Sequence, residues 1–212
     1  MNLNADVVTG VTIGAGCLAS LVMYPDLNLA APSLQSSLPP ALAPPLIAFA
    51  LPAAAGVTYL ILRRLSGESI GGRVIDPESE AAHRAIAARL VLFIMALHVL
   101  VVANLGGAEW LQPWGPRLVI VLFGGVFIAI GNLLPRTRPN LAVGIRTART
   151  LSNRDFWIRL HRTCGHVAVA LGAVIAVSGL FLDDPALGLV VGTAAIGSIA
   201  ALAVTYQRNV RV

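Results

Sequence analysis

Six long apolar stretches constrain the fold of this chain more than any other feature of its sequence. They cover residues 7–24, 42–62, 86–105, 115–134, 164–182 and 187–207. A helix rises about 1.5 Å per residue, so each stretch is long enough to cross the roughly 30 Å hydrocarbon core of a bilayer. We therefore predict an all-α fold, in which residues 1–212 form one integral membrane domain, a polytopic bundle of six transmembrane helices.

The composition supports the membrane interpretation and excludes an ordinary soluble domain. Apolar residues make up 57% of the chain and charged residues only 12%, whereas soluble domains carry roughly 25% charged residues. Because so few charges are available to cover a water-facing surface, much of the surface must face lipid. The first stretch has no basic residue before it and only a poor cleavage site after it, which favours a retained span over a signal peptide.

The arginines predict the orientation of the spans. All fifteen basic residues are arginine. Fourteen lie after the second span, at the start of the third, after the fourth or in the C-terminal tail, and only Arg117 lies on the opposite side. Since basic loops stay in the cytoplasm, we predict cytoplasmic N and C termini. Charges at span ends indicate contact with anionic lipid headgroups and not direct binding of nucleic acid.

Two spans are predicted to begin as helical extensions on the cytoplasmic side. Residues 76–78 read Asp-Pro-Glu, which combines an N-cap, a proline at the first helical position and acid in the first turn. A helix should therefore start there and continue into the third span. Ser152 and Asp155 form a capping box before the fifth span. We expect this second helix to hold Trp157 at headgroup depth, where its amphipathic ring is favoured.

Small residues and prolines predict how the helices pack and bend. Glycines on one helix face allow close contact between helices, and the candidates are Gly10/Gly14, Gly188/Gly192, and Gly124, Gly125 and Gly131. Pro52, in the middle of the second span, predicts a kink. Cys17 and Cys164 belong to neither a CxxC nor a Cys/His metal spacing, so we expect two membrane-buried thiols and neither a disulfide nor a metal site.

Polar residues inside the predicted spans are candidates for function, because such groups are costly to place in lipid. They are His98 and Asn104 in the third span, Asn132 near the end of the fourth and His166 near the start of the fifth. A histidine bonded to a neighbouring helix and a histidine that handles a ligand or a proton both fit this pattern. The chain has no P-loop, GxSxG or HExxH motif, so we identify no catalytic residue and expect no cofactor.

The most distinctive segment follows the fourth span. Pro135 and Pro139 should stop the helix, and Gly144 permits a bend with positive φ. Asn132 and Asn140 can hydrogen-bond local backbone in turns. The segment is therefore predicted to be a folded loop and not a simple basic linker.

Two arginines of this segment could hold an anion. Arg146 and Arg149 could meet a lipid phosphate or an acidic partner through paired hydrogen bonds. The alternative is that arginines here only set topology, and we favour that interpretation for Arg136, Arg154 and Arg159.

The same segment resembles the SdpI family of bacterial membrane proteins, whose pattern has the form GN…P…N…GIRTPWTL…W…H. The matching positions are Gly131, Asn132, Pro135, Asn140, Gly144, Ile145, Arg146, Thr147, Thr150, Leu151, Trp157 and His161. A weaker likeness at Ala82, Leu97 and His98 extends the resemblance to about residues 80–182. Two features depart from the family: Ala148-Arg149 replaces its Pro-Trp, and the loop at 26–40 lacks the His and Gly of many members.

The resemblance implies a non-enzymatic immunity and signalling protein in the bacterial cytoplasmic (inner) membrane. Such a protein protects the cell from a secreted, membrane-active peptide toxin and, when engaged, holds a cytosolic transcriptional repressor at the membrane. The basic loop from Arg136 to Arg162 would be its docking element. The implied ligand- or partner-binding motif comprises Asn132, Pro135, Asn140, Gly144, Arg146, Thr147, Thr150, Trp157 and His161.

Two other functions stay open from the sequence. One is a small proton-coupled transporter or channel, for which the candidate residues are His98, Asn104, Asn132 and Pro52. Against it, the spans hold no acidic residue and no obvious inverted repeat. The other is a membrane enzyme acting on an anionic lipid headgroup, for which the candidates are Arg146, Arg149 and His161. Against it, Asp155 is the only carboxylate in the loop, which leaves acid–base chemistry hard to assemble.

Overall fold

A computed structural model describes residues 5–30, 43–66, 76–105, 107–111 and 114–181, together with isolated positions between 186 and 207. All regular structure in these ranges is helical. Its α-helices are α1 (Ala5–Ala30), α2 (Ala43–Ser66), α3 (Pro77–Leu105), α4 (Gly115–Gly131), α5 (Ala148–Ser152) and α6 (Arg154–Phe181). One-turn 3-10 helices lie at Glu109–Leu111 and Leu134–Arg136.

Five of these helices, α1, α2, α3, α4 and α6, are long and apolar enough to cross a membrane. They correspond to the first five predicted spans, so the all-α membrane fold is confirmed at this level. The sixth predicted span, residues 187–207, lies for the most part outside the described residues. The six-span count and the cytoplasmic location of both termini therefore stay predictions.

The predicted start of α3 is confirmed. The helix begins at Pro77, and the backbone N–H of Glu80 donates to the carbonyl oxygen of Asp76 at 3.0 Å. The Asp76 carboxylate also accepts from the N–H of Glu78 at 3.4 Å. Asp76 therefore caps the start of α3 with both its carbonyl oxygen and its side chain, as an N-cap does.

The predicted cap of α6 is wrong by one residue. Asn153, and not Ser152, caps this helix, because its Oδ1 accepts from the N–H of Phe156 at 2.9 Å. Ser152 is instead the last residue of the one-turn helix α5, and its Oγ donates back to the carbonyl oxygen of Arg149 at 3.2 Å. A short helix directly before the cap thus occupies the position that the capping box had predicted.

Helices α1, α2 and α3 pack into one group. Ala55, Val91 and Met95 form a buried cluster that Ile13 and Tyr59 cover. Toward the other end of the same helices, Ala48 of α2 contacts Val102 of α3 in a second buried cluster. Pro52 is buried inside α2, which continues through it; the kink there stays a prediction.

Helices α4 and α6 approach each other at paired glycines. A Cβ added to Gly124 would lie 2.5 Å from the carbonyl oxygen of Gly172, and a Cβ on Gly172 would lie 2.5 Å from that of Gly124. Gly131 and Gly165 repeat the arrangement, with corresponding distances of 2.8 and 2.6 Å. The two backbones are in direct contact at both levels, which only residues without a side chain allow.

The predicted packing roles of the other glycines have mixed outcomes. Among the described residues, a Cβ added to Gly10, Gly14 or Gly125 would meet nothing within 4 Å, so the expected close contact at these positions is wrong. Gly188 and Gly192 lie outside the described residues.

Helix α4 also contacts α3 through Phe123, whose ring meets Phe93 edge-on at a centroid distance of 4.9 Å. This contact connects the two helix groups.

We expect Gly172→Leu to destabilise the bundle by about 1–3 kcal/mol or more, because the added side chain would overlap the α4 backbone. Gly125→Leu is the matched control, since it enlarges a glycine of α4 that faces open space. Thermal unfolding in detergent, followed by tryptophan fluorescence, measures both. Equal unfolding temperatures for the two variants would contradict the packing.

The predicted topology can be tested by cysteine labelling in a Cys17→Ser/Cys164→Ser background. Glu109→Cys, in the turn between α3 and α4, should react with a membrane-impermeant maleimide in intact cells. Ala148→Cys, at the start of α5, should react only after permeabilisation. The reverse pattern would show that the positive-inside asymmetry of the arginines has been misinterpreted.

Candidate functional site: a folded polar loop after α4

The motif loop, defined as residues 132–153, connects the end of α4 to the start of α6. Asn132 caps α4, and its backbone N–H donates to the carbonyl oxygen of Ile128 at 3.1 Å. The 3-10 turn that includes Pro135 then carries the chain over Gly165 of α6, where Pro135 Cδ would lie 3.0 Å from an added Cβ. The loop therefore starts pressed against the helix to which it returns.

Asn140 holds the centre of the motif loop. Its side-chain amide donates to the carbonyl oxygens of Arg138 at 2.7 Å and Val143 at 3.1 Å. Its Oδ1 accepts from the backbone N–H groups of Ala142 at 2.8 Å and Val143 at 2.7 Å. The side chain is buried, and all of its hydrogen-bonding capacity is used. The expected local role of Asn140 thus has a geometry that no aspartate could reproduce.

Gly144 covers a stacked pair of rings. Trp157 and His161, one turn apart on α6, stack with their centroids 3.9 Å apart and 14° between the ring planes. Gly144 has φ of +114°, and a Cβ there would lie 2.1 Å from His161 Nε2. Glycine is required at this position for two reasons, the left-handed backbone and the contact with the imidazole ring.

The hydrogen bonds of His161 define its tautomer. Its Nε2 accepts from the backbone N–H of Ile145 at 3.0 Å, so this nitrogen carries no proton. Its Nδ1 lies 2.9 Å from the carbonyl oxygen of Trp157 and donates to it. The neutral imidazole with a proton on Nδ1 satisfies both contacts. His161 is buried, and both ring nitrogens are engaged in holding the loop.

Trp157 does not have the environment that its sequence position predicts. Its side chain is completely buried, and its Nε1–H lies 3.2 Å from both the carbonyl oxygen and the Oγ1 of Thr137. The ring is covered by protein, so the expected contact with lipid headgroups is wrong. The motif loop folds back over the first turn of α6, which a helix considered alone does not reveal.

Thr147 and Thr150 form the capping box of α5. The N–H of Thr150 donates to Thr147 Oγ1 at 3.2 Å, and the N–H of Thr147 donates to Thr150 Oγ1 at 2.8 Å. The Thr150 hydroxyl in turn donates to the carbonyl oxygen of Ile145 at 2.8 Å. The two threonines therefore connect α5 to the segment that covers His161.

Arg138 attaches the motif loop to α3. Its guanidinium Nε lies 3.6 Å from the Asp76 carboxylate, and its Nη2 lies 4.0 Å from that of Glu78. Its backbone N–H donates to the buried hydroxyl of Ser79 at 3.0 Å. Sequence reasoning assigned no role to Arg138 or Ser79, because the contact joins residues about sixty positions apart. The acidic first turn of α3 predicts a basic partner, but the sequence does not indicate which residue supplies it.

What the motif loop exposes is mostly positive charge. Arg146 and Arg149 have exposed side chains, and one Arg146 Nη1–H donates to the carbonyl oxygen of Leu141. The Arg149 guanidinium carbon lies 5.4 Å from the centre of the Phe156 ring. No Asp or Glu occurs anywhere in residues 132–153. Of the predicted motif residues, the structure therefore brings Asn140, Gly144, Thr147, Thr150, Trp157 and His161 together as a frame, with Arg146 on its surface.

His98 is at the centre of a polar contact among three helices. Its Nε2 lies 2.7 Å from the Oγ of Ser20 on α1, and that hydroxyl donates to the carbonyl oxygen of Ala48 on α2 at 2.6 Å. Nε2–H is therefore the donor, and Nδ1 has no partner among the described residues. The node ties α3 to α1 and α2, as a histidine bonded to neighbouring helices does.

The remaining polar residues predicted inside the spans are not part of this node. Asn104, Asn132 and His166 all have exposed side chains. His166 lies on α6, one turn after Arg162. Across the described residues, no group of three His, Cys, Asp or Glu side chains could hold a metal ion.

Five membrane-length apolar helices and a folded polar loop at one end of them define a polytopic membrane protein. Residues 136–206 match the model of the SdpI/YfhL protein family. This match confirms the resemblance to the SdpI family, and it includes the motif from Asn140 to His161. Gly131, Asn132 and Pro135 lie outside the matched range, as does the third span. Neither a curated protein nor a solved structure matches the chain.

We expect Asn140→Asp to open the motif loop, because a carboxylate cannot donate to the two carbonyl oxygens that the amide now satisfies. Leaving such groups unsatisfied costs about 1–3 kcal/mol, and about 1.4 kcal/mol is a tenfold change in an opening equilibrium. Limited digestion with trypsin, which cuts after arginine, should therefore be at least about five-fold faster in this loop. Asn132→Asp, at an exposed position, is the control and should digest like the native protein.

Proposed function

We propose that this chain is a non-enzymatic immunity and signalling protein of the SdpI type in a bacterial cytoplasmic membrane. It protects the cell against a secreted, membrane-active peptide, and its motif loop docks a cytosolic regulator. The family match over residues 136–206 supports the type of protein. The specific role rests on the construction of the motif loop.

The observation that carries the proposal is the difference between the buried polar residues and the exposed arginines of the motif loop. The side chains of Asn140, Thr150 and His161 are buried, and their polar atoms form hydrogen bonds with backbone groups of the motif loop. Such residues hold a shape and perform no chemistry on a substrate. Arg146 and Arg149 stand on the outside of this frame, in a segment without any carboxylate. A rigid surface that displays arginines suits recognition of an acidic partner.

The alternative of an enzyme acting on lipid headgroups loses its acid–base group in this geometry. That function needs His161 to exchange protons with a substrate. Burial and the bonds to Ile145 and Trp157 leave neither ring nitrogen exposed to one. The motif loop, residues 132–153, contains no histidine that could replace it.

The alternative of a proton-coupled carrier depends on His98. Its contact with Ser20 explains its burial by helix packing alone. A carrier would still predict pH-dependent flux in proteoliposomes that His98→Ala abolishes. The immunity proposal predicts no such flux, so this measurement separates the two functions.

The proposal is tested by peptide sensitivity in a deletion strain complemented with variants at matched expression. We expect the deletion to sensitise cells to at least one secreted peptide from the organism or its neighbours. The native gene and Arg136→Gln should restore resistance, whereas Arg146→Gln, which removes a charge from the surface of the frame, should not. Unchanged resistance of the deletion strain to every such peptide would overturn the proposal.

A further inference from the structure

One face of α6 changes from charged to apolar without interruption. Its residues recur every three or four positions, so they lie along one line of the helix, and each is exposed: Arg159, Arg162, His166, Ala170, Ala173, Val177 and Leu180. The opposite face is buried, with Trp157, His161 and Ile175 almost fully covered. The described residues therefore cover α6 from the other side and leave this line open.

The apolar end of the line must face lipid. Val177 and Leu180 are 56% and 45% exposed, which is tolerable only in contact with acyl chains. Helix α6 is long enough to span the membrane. Arg159, Arg162 and His166 thus continue a lipid-facing surface toward the end of α6 that carries the motif loop, at the level where the hydrocarbon gives way to headgroups.

The direction of the side chains brings these three residues within reach of the headgroups. Side chains on a helix lean toward its N-terminus, which in α6 is the end beside the motif loop. The long side chain of Arg162 and the ring of His166 therefore reach back toward the headgroups, while their Cα atoms lie deeper. Arg159 is one turn nearer the surface. None of the three side chains has a hydrogen bond or ion pair with the described residues.

We propose that Arg159, Arg162 and His166 form a binding site for the phosphate of an anionic phospholipid. The two guanidinium groups hold the phosphate oxygens, and an imidazole N–H below them donates to an ester oxygen of the same lipid. An acidic cytosolic protein fits less well, because His166 lies on the lipid side of both arginines, where only a molecule inserted in the bilayer reaches it. This site is separate from the arginines of the motif loop and does not depend on the proposed immunity function.

The test is lipid titration of the delipidated full-length protein, read by native mass spectrometry. Phosphatidylglycerol should bind more tightly than phosphatidylcholine, by about five-fold for each arginine, the equivalent of about 1 kcal/mol per charge at an anionic surface. Arg159→Gln/Arg162→Gln should therefore lose about twenty-five-fold in affinity for phosphatidylglycerol. Affinity for phosphatidylcholine should fall by less, because the choline of that lipid offsets the charge of its phosphate.

Arg154→Gln is the matched control, because it removes an exposed arginine from the same helix but off this line. Its affinity for phosphatidylglycerol should stay within about two-fold of the native value, since screened charges off the site contribute little. With both arginines present, His166→Ala should weaken the binding of phosphatidylglycerol by several-fold. Equal loss in the control and the double variant would overturn the site, because it would indicate general charge attraction.

Two further probes distinguish the source of the phosphate and the class of partner. Soluble glycerol phosphate and a polyglutamate peptide should each bind far more weakly than phosphatidylglycerol, and should not depend on His166. Binding of either probe as tightly as the lipid, with the same loss in the double variant, would overturn the proposal. Thermal unfolding of each variant should match that of the native protein, since all four side chains are exposed.

Discussion

The contact between the backbones of α4 and α6 is the constraint on which the motif loop depends. Paired glycines at two levels let the helices meet without intervening side chains, and Pro135 continues the contact past the end of α4. The two ends of the motif loop are therefore held at one side of α6. Only from that position can Thr137 reach Trp157 and Gly144 cover the imidazole of His161. A larger residue at any of these glycines would separate the helices and open the loop that they close.

The buried and the exposed residues of the motif loop have different roles. Its buried polar side chains are used in hydrogen bonds to nearby backbone groups, which hold the shape of the loop. Its exposed arginines carry the charge, and a second set of cations continues along the lipid-facing side of α6. The protein thus presents two basic surfaces, one on the frame and one along the exposed line of α6. They have different physical surroundings, and for that reason we assign them different partners.

Arg138 connects the loop to the other half of the bundle. Its ion pairs with Asp76 and Glu78, and its backbone bond to Ser79, fasten the loop to the first turn of α3. Through His98 and Ser20, α3 is itself bonded to α1 and α2. Any movement between the two helix groups must therefore carry the loop with it or break the contact of Arg138.

Hydrophobicity and local capping are readable from sequence because they act over neighbouring residues. The five described apolar helices, the start of α3 at Pro77, and the local hydrogen bonding of Asn140 follow from such short-range rules. Other features depend on residues far apart in the chain. The burial of Trp157, the contact of Arg138 with α3, and the partners of Gly165 and Gly172 are set by the folding of one segment over another. The sequence by itself therefore determined a helical membrane protein with an unusual loop after the fourth span. Only the tertiary structure decided that most of this loop is a frame, since which polar groups are consumed depends on the backbone atoms that packing brings beside them.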